Sequence, residues 1–205
     1  MQASIDIPTD PKVQYLLRIG DACLILGQRL GEWCGHAPVV EEDIALTNMA
    51  LDLIGQARGV LTLAGEQCPQ DYDEDQLAFL RDERDYLNPT IVELERGDFA
   101  FTVLRNAIVA TWLKLLWERL RDSSDAELAA IAGKALKEAR YHQQHAADWV
   151  VRLGDGTEES RRRSEAALAR LWLYTPELFE DDAVDAAAQA VLKRQHLADV
   201  VAFGC

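Results

Sequence analysis

The sequence has few residues that bind metal ions through nitrogen or sulfur. Its 205 residues include four histidines and four cysteines. No histidine stands three positions after a Glu or Asp, and no two cysteines form a Cys-x-x-Cys pair. A domain of this size does not need disulfides for stability, so we expect the thiols to be reduced.

The sequence also has little clustered positive charge and no long apolar run. The formal net charge of −14 argues against binding to nucleic acid or to an anionic membrane, because both require clustered Lys and Arg. The one basic cluster, Arg161-Arg162-Arg163, stands among glutamates and is interpreted as a solvated helix face. No segment reaches the ~18 uninterrupted apolar residues of a membrane helix, and the polar N-terminus contains no secretory signal. We therefore expect a cytoplasmic protein.

The chain is rich in helical periodicity and contains no strand-like alternation long enough to matter. Four long helices are predicted, with a connection over residues 67–97 between the second and third that holds one short helix. This order predicts an all-α, ferritin-like four-helix bundle with a crossover connection and extra C-terminal helices, in a single domain over 1–205. The predicted helices are Val13–Trp33, residues 41 to about 65, Phe99 to about Arg121, Ala126 to about Leu153, Thr157–Tyr174 and residues 182 to about 201.

Two local patterns carry structural predictions. Gly55 and Gly59 lie inside the second helix, where each costs roughly 1 kcal/mol relative to Ala, so we expect close approach of a neighbouring backbone. The charged run from Arg81 to Arg84 could place an acid pair near a cation. We interpret it instead as the solvated face of a short helix.

The run Lys137-Glu138-Ala139-Arg140-Tyr141-His142 resembles the Glu-x-x-His half-site of a di-iron bundle, but Tyr141 occupies the ligand position. His142 comes one residue late, and one residue rotates a helical side chain by about 100°. Glu138, His142 and His145, at i, i+4 and i+7, could form a three-ligand metal patch. The alternative is that His142 is a hydrogen-bonded core histidine and the other two are solvated or interfacial.

The remaining helices supply too few ligands for two metal ions. The second helix offers Asp52 without a following imidazole, the first has only Asp21 and Glu32, and residues 99–117 contain no acid. A di-iron bundle needs carboxylates from all four helices and two imidazoles. The sequence also has no Gly-rich phosphate loop and no Gly-x-Ser-x-Gly elbow. We therefore expect no catalytic residue and no bound cofactor or metal in this chain.

Several long motifs, in order between about Val13 and Phe179, resemble one protein family. That family is the non-catalytic, ferritin-like structural subunit of bacterial phenylacetyl-CoA epoxidase, a multicomponent monooxygenase that epoxidises the ring of phenylacetyl-CoA. The motifs are Gln28-Arg29-Leu30-Gly31-Glu32-Trp33-Cys34-Gly35-His36-Ala37-Pro38, Leu51-Asp52-Leu53-Ile54-Gly55-Gln56-Ala57-Arg58, Leu77-Ala78-Phe79, Arg81-Asp82-Glu83, Lys137-Glu138-Ala139-Arg140-Tyr141-His142 and Leu171-Trp172.

The resemblance implies a partner role in aerobic phenylacetate degradation. In that family the di-iron centre belongs to a related catalytic subunit, and a reductase delivers electrons from NADPH. The silent subunit binds and stabilises the catalytic one, and the expected partners are that subunit, the other epoxidase subunits and a second copy of the chain. Glu32, Asp52, Glu138 and Tyr141 would mark vestigial metal positions without a catalytic role.

From about residue 182 onward the family pattern is not visible. The C-terminal part is therefore divergent or truncated, and assembly is a weaker inference than fold.

Two alternatives to the partner role stay open at the level of the sequence. The chain could instead be an atypical metal-binding ferritin-like oxidase that uses Glu138, His142 and His145. A stand-alone metal-binding helical module is the second alternative.

Overall fold

The computed structural model describes residues 4–180 and 183–192, and these residues form eight α-helices and no strand. The four long helices are α1, α2, α5 and α6, which confirms the prediction of an all-α, ferritin-like bundle. The helices are α1 Pro11–Gly31, α2 Val40–Glu66, α3 Glu74–Phe79, α4 Thr90–Glu93, α5 Phe99–Leu120, α6 Ala126–Gly154, α7 Glu158–Trp172 and α8 Ala183–Leu192, with 3₁₀ turns at Glu83–Asp85 and Pro176–Leu178.

Aspartate side chains begin three of the long helices. Asp10 accepts hydrogen bonds from the first free backbone N–H groups of α1, Asp98 does so for α5, and Asp125 for α6. Each carboxylate satisfies donors that have no partner within the helix and lies at the positive end of the helix dipole. At α5, Asp98 Oδ1 lies 2.9 Å from the N atom of Phe101.

The long helices pack as two main pairs, α1 with α2 and α5 with α6, and α2 also packs against α6. The additional helices cover the outside of this bundle, with α7 on α5 and α6 and α8 on α1. α5 is long and apolar enough to cross a membrane, but 67% of its most hydrophobic 18-residue window is buried inside the protein. The large buried side chains, among them Trp117, identify α5 as a core helix.

The crossover connection between α2 and α5 holds more structure than predicted. It contains two short α-helices, α3 and α4, and a 3₁₀ turn, in place of one short helix. Asp73 forms a capping box with Gln76 at α3, and Asp82 caps the 3₁₀ turn. These local caps stabilise elements that are too short to show helical periodicity. The predicted final helix is described over Ala183–Leu192, and its part beyond residue 192 lies outside the described residues.

The prediction for the two glycines of α2 is wrong. A Cβ atom added to Gly55 would meet no atom within 4 Å, and one added to Gly59 would meet only the side chain of Ile131, at 3.7 Å. The close approaches occur at other glycines. A Cβ on Gly65 would lie 1.8 Å from the carbonyl oxygen of Tyr72, and one on Gly27 would lie 3.2 Å from a backbone oxygen of α2.

Candidate functional site

Antiparallel packing of α6 against α2 brings three polar pairs together. Here they are called the polar seam, and they are Glu42 with His145, Asp52 with His142, and Gln56 with Glu138. Along the seam the residue numbers rise on α2 and fall on α6, as expected for antiparallel helices. Spacings of three and four residues place Glu138, His142 and His145 on one face of α6.

The central pair of the seam joins His142 to Asp52. His142 is 4% exposed, and its Nε2 lies 3.0 Å from Asp52 Oδ2. Burial lowers the pKa of His142, and the hydrogen bond and negative charge of Asp52 oppose this shift without cancelling it. His142 is therefore a neutral, hydrogen-bonded core histidine at neutral pH. This confirms the interpretation of His142 as a core residue.

The two outer pairs resolve the environment of Glu138 and His145. His145 Nε2 lies 2.9 Å from Glu42 Oε2, and both side chains are largely buried. Gln56 Nε2 donates to Glu138 Oε2 at 3.0 Å. Glu138 and His145 are therefore interfacial and not solvated, because both side chains lie between α2 and α6.

A buried cysteine from α1 extends the seam at one end. Cys23 Sγ donates to Gln56 Oε1 at 3.7 Å. Burial raises the pKa of the Cys23 thiol well above its usual range, and the charges of Asp21 and Glu138 act in the same direction. The thiol is therefore protonated, and α1 supplies no anionic ligand at this level of the bundle.

The remaining two candidate residues lie apart from these contacts. Glu32 is exposed at the C-terminal end of α1 and forms an ion pair with Arg29 at 2.5 Å. The side chain of Tyr141 is on α6 but points outward, with 53% of the residue exposed. Of the four vestigial positions, the structure places Asp52 and Glu138 in the seam and leaves Glu32 and Tyr141 outside it.

The residues of the seam do not fit a di-iron centre. Each carboxylate or imidazole of the seam binds a residue of the facing helix instead of converging on a shared point. Within residues 4–180 and 183–192, no three His, Cys, Asp or Glu side chains are grouped so that they could hold a metal ion. The proposed patch of Glu138, His142 and His145 is thus divided among three separate pairs. Between α5 and α6, Thr111 accepts a hydrogen bond from Gln143 at 2.9 Å, and Glu118 accepts one from Arg140 at 3.2 Å.

A buried ion pair that was not predicted from the sequence lies beside the seam. The guanidinium of Arg81 binds both carboxylate oxygens of Asp21, the Leu87 N–H donates to Asp21 Oδ2 at 2.9 Å, and both charged side chains are 0% exposed. The interpretation of Arg81 as part of a solvated face is therefore wrong. An isolated Asp in the apolar stretch of α1 was the one signal in the sequence, because a buried carboxylate needs a cation.

Comparison with known proteins gives two matches. Residues 1–201 match the family described as "Phenylacetic acid catabolic protein". The chain is also similar to a protein of Escherichia coli (strain K12) that is named as one of the subunits of 1,2-phenylacetyl-CoA epoxidase, with 50% identity over 173 residues. That alignment covers 84% of this chain and 69% of the E. coli protein. Both matches agree with the resemblance found in the sequence motifs.

Proposed function

The chain belongs to the phenylacetic acid catabolic protein family, and we propose that it is the non-catalytic subunit of a phenylacetyl-CoA epoxidase. In this role it binds and stabilises a related subunit that holds the di-iron centre. It acts in the cytoplasm, in aerobic phenylacetate degradation. Iron enters the assembly through the catalytic partner, and NADPH acts through a reductase.

The observation that carries this proposal is the polar seam. A metal-binding bundle directs its carboxylates and imidazoles to a common point, where the metal compensates their charge and desolvation. Here the same residue types compensate one another, because each imidazole has its own carboxylate. The seam therefore links α6 to α2 through side-chain pairs, which supports a bundle that forms without a metal ion of its own.

The chemistry of the seam also argues against oxygen activation by this chain. The buried thiol of Cys23 is protonated, the hydroxyl that Thr111 of α5 presents to α6 is neutral, and the carboxylate of Glu118 on α5 is paired with Arg140. None of these groups supplies the anionic carboxylate shell of a di-iron site. The relative from E. coli is named as a subunit of an epoxidase, which supports assembly with other subunits as the way this chain takes part in the pathway.

The proposal is tested by co-expression with the di-iron subunit from the same source. We expect the two chains to co-purify at a fixed ratio, with the iron retained by the partner. The isolated chain should contain no stoichiometric iron or manganese in elemental analysis. His142→Gln, which removes the imidazole from the seam, should leave the iron content and the epoxidation rate of the assembled complex unchanged.

Two results would contradict the proposal. The first is failure of the wild-type chains to associate when both are folded. The second is stoichiometric metal in the isolated chain that disappears in His142→Gln, which would favour the metal-binding oxidase. Gln143→Ala, on the same helix but outside the seam, is the matched control for nonspecific loss of metal.

A further inference from the structure

A buried arginine on α5 has hydrogen-bond donors without an acceptor in the described part of the chain. Arg105 is 0% exposed, and its Nη1 donates to the carbonyl oxygen of Leu94 at 2.6 Å. Its Nε and Nη2 are buried and have no hydrogen-bond partner among residues 4–180 and 183–192. Buried charged donors nearly always have acceptors, so this guanidinium requires an explanation.

The two unused donors have a specific geometry. Nε and Nη2 lie on the same edge of the planar guanidinium and point in parallel. This edge matches two oxygen atoms of a carboxylate or a phosphate, which bind arginine through paired hydrogen bonds. A neutral carbonyl would use only one of the two donors. The free edge of Arg105 is therefore shaped for an oxyanion.

A second arginine near Arg105 has the same deficiency. Arg29, in the last turn of α1, uses one nitrogen for Glu32, but its buried Nε has no hydrogen-bond partner among the residues that the structure describes. The pKa of Arg105 is lowered to about 10, mainly by burial and also by the charge of Arg29, while the charge of Glu32 acts in the opposite direction. Arg105 remains protonated at neutral pH. The guanidinium groups of Arg29 and Arg105 thus both interact with the carboxylate of Glu32.

Other groups add to the positive charge at this end of the bundle. Arg96 donates to the backbone oxygen of Glu32 at 2.7 Å and stacks over Trp33 at 4.7 Å. The ring of Phe101 contacts the guanidinium groups of both Arg105 and Arg170, at 5.9 and 5.1 Å. This concentration of arginine occurs in a chain with a net charge of −14. These charges favour an anion beside Arg105, and the carboxylate of Glu32 acts against it.

We propose that Arg105 and Arg29 form an oxyanion-binding site at the end of the bundle where α1 ends and α5 begins. Its ligand is a carboxylate or phosphate group, held by the Nε–Nη2 edge of Arg105 and by Nε of Arg29. Arg105 is enclosed, whereas the Arg29 side chain is 32% exposed. The anion therefore reaches the site when the Arg29–Glu32 ion pair opens. The group comes either from a soluble compound or from an acidic side chain of a partner subunit.

The first experiment uses inorganic phosphate and acetate as probes, with chloride at matched ionic strength as the reference. Thermal unfolding is followed for the wild type, Arg105→Met, Arg29→Gln and the control Arg162→Met, whose arginine is exposed and paired with Glu159. A saturable rise in Tm is expected for the wild type and the control. It should be lost in Arg105→Met and need roughly tenfold more anion in Arg29→Gln, as expected for one lost charge-assisted hydrogen bond.

The second experiment measures affinity for the di-iron subunit and rests on the proposed function. If the oxyanion is an acidic side chain of the partner, Arg105→Met and Arg29→Gln each weaken binding by roughly tenfold or more, and Arg162→Met does not. Arg29→Gln changes a side chain that is 32% exposed, so it remains informative if Arg105→Met does not fold.

The outcomes separate the two sources and the two proposals. A Tm effect alone identifies a soluble anion, and a change in partner affinity alone identifies a partner carboxylate. If neither measurement responds to the Arg105 and Arg29 variants, the donors are satisfied by water and the site does not exist. If the wild-type chain does not bind the partner at all, the proposed function fails while the thermal measurement still tests the oxyanion site.

Discussion

Removal of one partner from the buried Asp21–Arg81 ion pair should be strongly destabilising. Burial raises the pKa of Asp21 even though the hydrogen bond and charge of Arg81 and the Leu87 N–H act to lower it, which shows how large the cost of desolvation is at this position. In Asp21→Leu, the Arg81 guanidinium is left buried without a counter-charge. An uncompensated buried charge of this kind costs about 3–5 kcal/mol.

The double variant Asp21→Leu/Arg81→Met distinguishes charge burial from loss of packing. Replacement of a buried ion pair by apolar side chains is neutral or stabilising by about 1–4 kcal/mol. Here the Leu87 N–H loses its acceptor, at a cost of about 1–3 kcal/mol. The two effects nearly cancel, so we expect the double variant to lie close to the wild type. The coupling energy of the pair should exceed about 2 kcal/mol.

Urea unfolding followed by circular dichroism measures these free energies. At about 2–4 °C per kcal/mol for a chain of this size, Asp21→Leu should also lower Tm by roughly 6–20 °C. Arg162→Met provides the exposed control and should change stability by less than about 1 kcal/mol. A cost below about 1 kcal/mol for Asp21→Leu, or a double variant as unstable as the single one, would refute the reasoning.

Three further predictions follow from the seam, the glycines of α2 and the cysteines. The pKa of His142 is lower in the folded than in the unfolded chain, so below about pH 6.5 the unfolded chain binds more protons than the folded one. The free energy of unfolding should therefore decrease as the pH falls from about 6.5 to the pKa of folded His142. His142→Gln should make this pH dependence weaker in urea unfolding measured at several pH values. Gly55→Ala should stabilise the protein by about 1 kcal/mol, because nothing lies near the added Cβ. Gly65→Ala should destabilise it, because the added Cβ would lie 1.8 Å from a backbone oxygen. Equal changes in the free energy of unfolding, measured by chemical denaturation, would contradict these two predictions. Cys34 is exposed and should react with a thiol reagent in the native protein, whereas buried Cys23 should react only after unfolding; mass spectrometry of labelled peptides measures the order.

The helices themselves were accessible from local sequence patterns. Apolar residues at helical spacing placed α1, α2, α5 and α6 to within a few residues. These features depend on neighbours within one or two turns, so a window of sequence contains them. Short elements such as α4 depend on the contacts of the crossover connection, and periodicity could not reveal them.

The candidate site was only partly accessible in the same way. Helical spacing placed Glu138, His142 and His145 on one face of α6, and the lack of Glu-x-x-His argued against a di-iron centre. The helical spacing of these residues does not determine which residue of another helix faces each of them. Arg105 gave no signal at all, because an arginine at the start of a helix is ordinarily solvated.

By itself the sequence determined the helical class, the helix order and the absence of the di-iron half-site motif. The tertiary structure decided which charges meet. Asp52 and His142 are 90 residues apart in the chain, and Asp21 and Arg81 are 60 apart. The axial register and rotation of packed helices set these contacts, and both arise from the fit of side chains across the whole core.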